Sequence, residues 1–227
     1  MSLFVHNYPH FDIKLKRALH HATDENPKHL EVPYYGIYDL WLNDLILDER
    51  DYTCCPQGAL SILMEGGRNK KSEIVKRYPD FIIYHDRGEG GKEVGGGVQV
   101  RAVAFIAEVK PWLPAMDDML DPNIVRDQFD RRDFLTQVRD HVKMIMEQQG
   151  ASGPVWLMQC VGVFWRSGVV KNNNNLSPFS KRRREKAKKT DGMPIFNVQW
   201  GPIQKIGELA SDGEEFKFWQ EIKKTFE

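Results

Sequence analysis

The amino-acid sequence predicts an α/β fold, with α and β segments mixed, in which a central mixed β-sheet is flanked by helices. Two observations carry that expectation. Three strand-like segments follow one another between residues 52 and 110, and consecutive strands favour antiparallel pairing. A long helical segment then precedes a further apolar strand, and a crossover of that kind implies a parallel neighbour. The predicted order is helix, three strands, helix, strand, strand, helix, with no internal repeat.

Residues 1–31 read as a helical N-terminal extension and residues 32–227 as one domain. Within the extension, FDIKLKRALHHATDEN (residues 11–26) has mixed periodicity. VPYYGIYDLWLNDLILDE (residues 32–49) is a clearer helix. Ile37, Leu40, Trp41, Asp44 and Leu45 share one broad face, and Pro33 suits the first turn. YTCCPQGALSILME (residues 52–65) reads as a strand interrupted by Pro56 and Gly58, and residues 66–69 as a turn. Residues 73–85 form the second strand and about 97–110 the third. Between them DRGEGGKEVGGG (residues 86–97) holds six glycines, without the Lys-Ser/Thr of a phosphate cradle, and reads as a hairpin connection.

After an irregular link, residues 123–149 form a long helix that Gly150 and Ser152-Gly153-Pro154 end. PVWLMQCVGVFWRSGVV (residues 154–170) is a strongly apolar fourth strand, and MPIFNVQWGPIQKIGEL (residues 193–209) a fifth with its exit. An exposed loop, residues 171–192, lies between them. SDGEEFKFWQEIKKTFE (residues 211–227) is a final helix, with Ser211 or Asp212 as cap and Glu214-Glu215 in the first turn.

Composition narrows the function classes. Apolar residues at 41% and aromatics at 11% fit a packed domain rather than a disordered chain. No apolar run approaches the ~20 residues that span a bilayer, so no membrane partner is expected. The N-terminal residues lack the pattern of a secretory signal. Cys54, Cys55 and Cys160 have no zinc spacing, and the chain reads as intracellular and reduced. Net charge is zero, but KRRREKAKK (residues 181–189) holds seven basic residues and one acidic. The rest of the chain has 25 basic against 31 acidic residues, a net of −6. The basic run reads as a nuclear-import signal, a nucleic-acid contact or a solvated loop.

Two short acidic signals carry the chemistry. RYPDFIIYH (residues 77–85) contains Pro79-Asp80, and VAFIAEVKP (residues 103–111) contains Glu108-Val109-Lys110. Side chains alternate along a strand, so Glu108 and Lys110 project together while Val109 faces the other way. If the two segments pair as a hairpin, Asp80 comes beside Glu108. Two carboxylates hold a divalent ion, and a lysine beside them orients or activates a water. Such a site suits metal-dependent cleavage of a phosphodiester.

With these motifs on these strands, the chain resembles the PD-(D/E)xK, or restriction-endonuclease-like, nuclease superfamily over roughly residues 32–170. YYGIYDLWLNDLI followed by the Asp strand and the EVKP strand also looks like uncharacterised fungal proteins assigned to that fold. The resemblance implies a nuclease acting on DNA or RNA. Asp80, Glu108 and the carbonyl of Val109 would hold Mg²⁺ or Mn²⁺, and Lys110 would assist the attacking water. Gln137, in FLTQVRDHV, sits where many members carry a glutamine on the following helix. Members often have an acidic residue on the first helix; here Asp39, Asp44, Glu49 and Glu73 compete for that place. The 27 residues between Asp80 and Glu108 exceed the spacing in many members, and the glycine-rich loop absorbs them.

Each residue also has a plainer reading. Asp80 is a turn cap at a strand start, Lys110 merely neutralises Glu108, and Gln137 is an exposed helix position. A catalytically degenerate nucleic-acid-binding or interaction module on the same fold is the alternative function. His141 and the pair His20-His21 invite a metal or base role, but helix histidines are more often exposed or satisfied. Trp41, Trp156, Trp165, Trp200 and Trp219 read as core. The oligomeric state, a homodimer included, stays open.

Overall fold

The computed structural model describes residues 10–26, 28, 30–46, 51–64, 73–86, 101–114, 121–148, 154–171, 198–206 and 209–226. The elements are α1 (Phe11–Thr23), α2 (Val32–Ile46), β1 (Tyr52–Pro56), β2 (Leu60–Met64), β3 (Glu73–Arg77), β4 (Phe81–Asp86) and β5 (Arg101–Lys110), then α3 (Pro122–Phe129), α4 (Arg132–Gln148), β6 (Val155–Val161), β7 (Phe164–Val170), β8 (Val198–Trp200), β9 (Gln204–Lys205) and α5 (Leu209–Phe226). The central sheet runs β1-β4-β5-β6-β7-β8, with β9 also paired to β7. β5 and β6 are parallel, joined through α3 and α4, and every other neighbour in the sheet is antiparallel. The expected mixed sheet with flanking helices is the fold observed.

Several expected elements are divided, each for a local reason. Residues 52–65 are two strands in two sheets. Pro56 ends β1, Gln57 takes a left-handed conformation (φ 49°), and β2 leaves to form a separate hairpin with β3. Residues 73–85 divide in the same way at Pro79-Asp80, so β3 belongs to the small hairpin and β4 to the central sheet. Residues 154–170 are a hairpin rather than one strand. Gly162 adopts φ 58°, and Val161 pairs with Phe164 across a two-residue turn. A side chain there would also meet Trp112, whose Cβ lies 2.9 Å from where the added carbon would sit.

The long helix breaks at Asp130 into α3 and α4. The buried Arg166 on β7 donates to the carbonyl of Phe129 (3.2 Å) and to the Asp130 carboxylate (2.9 Å), satisfying a helix end from the sheet. The stretch 193–209 contains two short strands, β8 and β9, on the edge of β7. The last helix begins at Leu209, so Ser211 and Asp212 lie in its first turn instead of capping it. The glycine-rich connection from residue 87, residues 172–197 with the basic run, and Glu49 lie outside the described residues.

Two layers of helix enclose the sheet. On the face that Val109, Cys160 and Trp165 share, α2 sets Trp41 against Trp165, with ring centroids 4.9 Å apart. There α5 sets Phe218 against Phe105 at 5.4 Å. α1 lies on α2, with Phe11, Leu15 and Ala22 buried in the common core. The opposite face carries Glu108, Gln159 and Arg166 in register across β5, β6 and β7, and α3 and α4 cover it. Among the described residues, no helix is long and apolar enough to cross a membrane.

Candidate active site

Pairing of β4 with β5 places Phe81 opposite Ala107, which brings the preceding Asp80 across from Glu108. The β4 ladder ends at Phe81, and the Asp80 carboxylate takes over beyond it. Its Oδ2 accepts from the backbone N–H of Val109 at 2.7 Å, and its Oδ1 accepts from the Tyr35 hydroxyl of α2 at 2.7 Å. Asp80 and Glu108 are both buried. Lys110 projects on the same side as Glu108, as the strand alternation requires. Its Nζ lies 3.9 Å from Glu108 Oε2, 4.0 Å from Asp80 Oδ2 and 3.1 Å from the Val109 carbonyl. The register expected for the hairpin is present, and the three residues meet.

Gln137, on α4, donates from Nε2 to Glu108 Oε2 at 2.8 Å. It is a contact of the site and not an exposed helix position. One turn further along α4, His141 is buried against the same carboxylate. Its Nδ1 stands 2.5 Å from Glu108 Oε1, and among the described residues neither atom has another partner. The spacing Asp133, Gln137, His141 was the signal in the sequence for this face. His20 and His21 are exposed at the end of α1, paired with Asp24 and Glu25.

A third carboxylate reaches the cluster from a residue outside the four candidates. Glu31, immediately before α2, lies 2.8 Å from the Tyr35 hydroxyl and 3.5 Å from Lys110 Nζ. Glu31 and Tyr35 are one helical turn apart, which is the only signal in the sequence. Of the four candidates, Asp39 is exposed and pairs with Asn43. Asp44 is buried in α2 but nine residues beyond Tyr35, roughly 13 Å along the axis. Glu73 is paired with Met64 in the separate hairpin.

Charge at this point is unbalanced. Glu31, Asp80 and Glu108 supply three carboxylates within 4.0 Å of one ammonium, Lys110. Burial, and then the charge of Glu108, pushes the Asp80 carboxyl up to about 6. Burial pushes Glu108 up to about 8 against the pull of Lys110. Burial also pushes His141 down to about 4, so it is neutral near pH 7. Fully ionised, the cluster would carry two excess negative charges, which protons or one divalent cation neutralise.

Among the described residues, no group of three or more His, Cys, Asp and Glu side chains is arranged to hold a metal ion. The donors available are two carboxylates and the Val109 carbonyl, an all-oxygen set of the kind that suits Mg²⁺ or Mn²⁺.

No protein-family model matches the chain, and a search of curated proteins finds no match. The residues themselves must carry the functional reading.

Proposed function

We propose that the chain is a metal-dependent nuclease of restriction-endonuclease-like fold that hydrolyses phosphodiester bonds of DNA or RNA. The supporting observation is the convergence of buried Asp80 and Glu108 with Lys110 at the end of β5, carrying excess negative charge. Asp80, Glu108 and the Val109 carbonyl would hold Mg²⁺ or Mn²⁺. Bound there, the cation supplies Lewis-acid polarisation of the phosphate.

The chain's own groups do the rest. Lys110 donates to the attacking water, and its charge stabilises the negative charge that develops on the phosphate oxygens. Water attacks phosphorus in line and gives its proton to solvent as the new P–O bond forms; the ester bond to the leaving oxygen breaks, and that oxygen takes up a proton from solvent. Gln137 fixes Glu108 through Oε2, and Tyr35 fixes Asp80 through Oδ1, so both carboxylates are oriented before substrate arrives. Glu31 holds the ammonium from the side of α2.

A second reading has its own observation. Both Asp80 oxygens already accept internal hydrogen bonds, and Lys110 faces three carboxylates. A network closed in this way also suits a module that binds nucleic acid without cutting it.

Cleavage of single- and double-stranded DNA and RNA in Mn²⁺, Mg²⁺ or EDTA separates the two. The parent is expected to cleave with either metal and not in EDTA. Lys110→Ala should fold and bind metal while cleaving about 10²-fold more slowly, the scale for one preorganised charge. Asp80→Ala should lose the metal. If Lys110→Ala cleaves like the parent, the site assignment fails. Binding without cleavage in any folded sample would select the second reading.

A further inference from the structure

A shallow cavity of about 750 Å³ opens on α4, lined by Arg132, Asp133, Thr136, Gln137 and Asp140. Gln137 belongs to two places at once: it lines this cavity and donates to Glu108 at 2.8 Å. The cavity therefore adjoins the buried carboxylates, with a single side chain between them.

Its charges are not equivalent. Asp133 is taken by Arg131, which holds both its oxygens at 3.2 and 2.6 Å. Asp140 faces Arg77 of β3, 3.7 Å away. The Thr136 hydroxyl donates to the backbone carbonyl of Arg132 at 2.7 Å, which ties the wall to its own helix turn. Each wall carboxylate thus has its own arginine. The Arg132 side chain is exposed and has no partner among the described residues. The lining itself holds one arginine and two aspartates, and with both aspartates paired to arginines outside it, Arg132 is the guanidinium left open to solvent.

An unpaired guanidinium on a polar wall is complementary to an anion with several acceptor oxygens, and phosphate is the match in charge and geometry. Resting on the nuclease reading of the adjoining site, we infer that this cavity binds a phosphate of the nucleic-acid backbone next to the bond being cut, with Arg132 as its anchor. The contact is to phosphate and carries no sequence information, so it positions the strand and does not select it. Substrate would run from the cavity past Gln137 to the carboxylates. Arg132 holds a neighbouring phosphate and takes no part in bond breaking.

The test is metal-independent binding of fluorescein-labelled oligo-dT and oligo-rU in EDTA, as a function of salt. Parent, Arg132→Ala and Arg132→Lys proteins are compared. Arg132→Ala should bind about tenfold more weakly on both strands, and its slope of log affinity against log salt should fall by about 1. Arg132→Lys should recover most of the affinity. Where cleavage is measured, Arg132→Ala should raise KM and leave kcat nearly unchanged. Parent-like affinity and salt slope in Arg132→Ala, or no binding of either strand by the parent, would overturn the inference. Loss of cleavage with the Arg132 effect intact would sink the nuclease reading and leave the phosphate site standing.

Discussion

Tyr35 has one hydroxyl proton and two carboxylate neighbours, Asp80 at 2.7 Å and Glu31 at 2.8 Å. With one proton to donate, it serves one of the two carboxylates at a time. The hydroxyl is thus a clamp between α2 and the start of β4. Removing it in Tyr35→Phe should leave the half-buried ring in place and loosen Asp80. Outer partners of metal-holding carboxylates typically matter 10–100-fold, so Mn²⁺ affinity by titration calorimetry should fall at least tenfold. An unchanged affinity would take Tyr35 out of the site. Lys110 shows the same economy of position. Its ammonium serves Glu31, Asp80, Glu108 and the Val109 carbonyl together, and sits 5.8 Å from the ring centre of Phe134.

At the level of elements, α4 determines whether the site is complete, because it alone supplies Gln137, His141 and the cavity wall. Its start is set by Arg166, which reaches from β7 to the end of α3. The guanidinium also donates to Gln159 Oε1 at 2.8 Å and lies between the rings of Phe129 and Trp200. Arg166→Ala would leave the buried Gln159 amide and the Phe129 carbonyl unpaired. Urea unfolding should show a loss of about 3 kcal/mol, from two orphaned polar groups plus lost packing. A loss under about 1 kcal/mol would mean that the corner is held by something else. The turn at Gly162 has a comparable role on the other side. Its N–H donates to the Lys110 carbonyl at 2.9 Å, and its own carbonyl accepts from Tyr38 of α2. The end of β5 is thereby tied to both its hairpin neighbour and the covering helix.

For the molecule as a whole, the buried charges tie stability to pH. Asp80, raised from 3.8 to about 6, and Glu108, raised from 4.5 to about 8, bind protons more readily folded than unfolded. Their contribution is present in full at low pH and is lost as pH rises through the folded values. His141, lowered from 6.5 to about 4, works oppositely: unfolding takes up a proton between those values, so stability rises with pH there. The opposing effects overlap below about pH 6.5. From there to about pH 8, of these three groups only Glu108 still changes. In EDTA, the melting temperature should therefore fall between pH 6.5 and 8, on the order of 1 kcal/mol of stability. Glu108→Gln should flatten that slope, and Mn²⁺ should abolish it in the parent by taking the proton's place. An identical slope in Glu108→Gln would show that the carboxyl is not the group responsible.

The class of fold and the Asp80, Glu108, Lys110 set were legible in the sequence because both rest on local regularities. Alternation along β5 puts Glu108 and Lys110 on one side whatever the rest of the chain does, and hairpin register then brings Asp80 across. Chain breaks were less legible. Gly162 and Pro79-Asp80 are visible as letters, but whether a break is a bulge, a turn or a change of sheet depends on which strand is waiting alongside. Glu31, His141 and Arg132 were decided by tertiary structure alone. Glu31 acquires meaning only because α2 lies across the end of β5. His141 becomes a buried neighbour of Glu108 only because α4 covers that face. Arg132 has no partner among the described residues, where Arg131 and Arg77 face the two aspartates beside it. Periodicity reports which way a side chain points along its own element; what it meets there is set by elements distant in sequence.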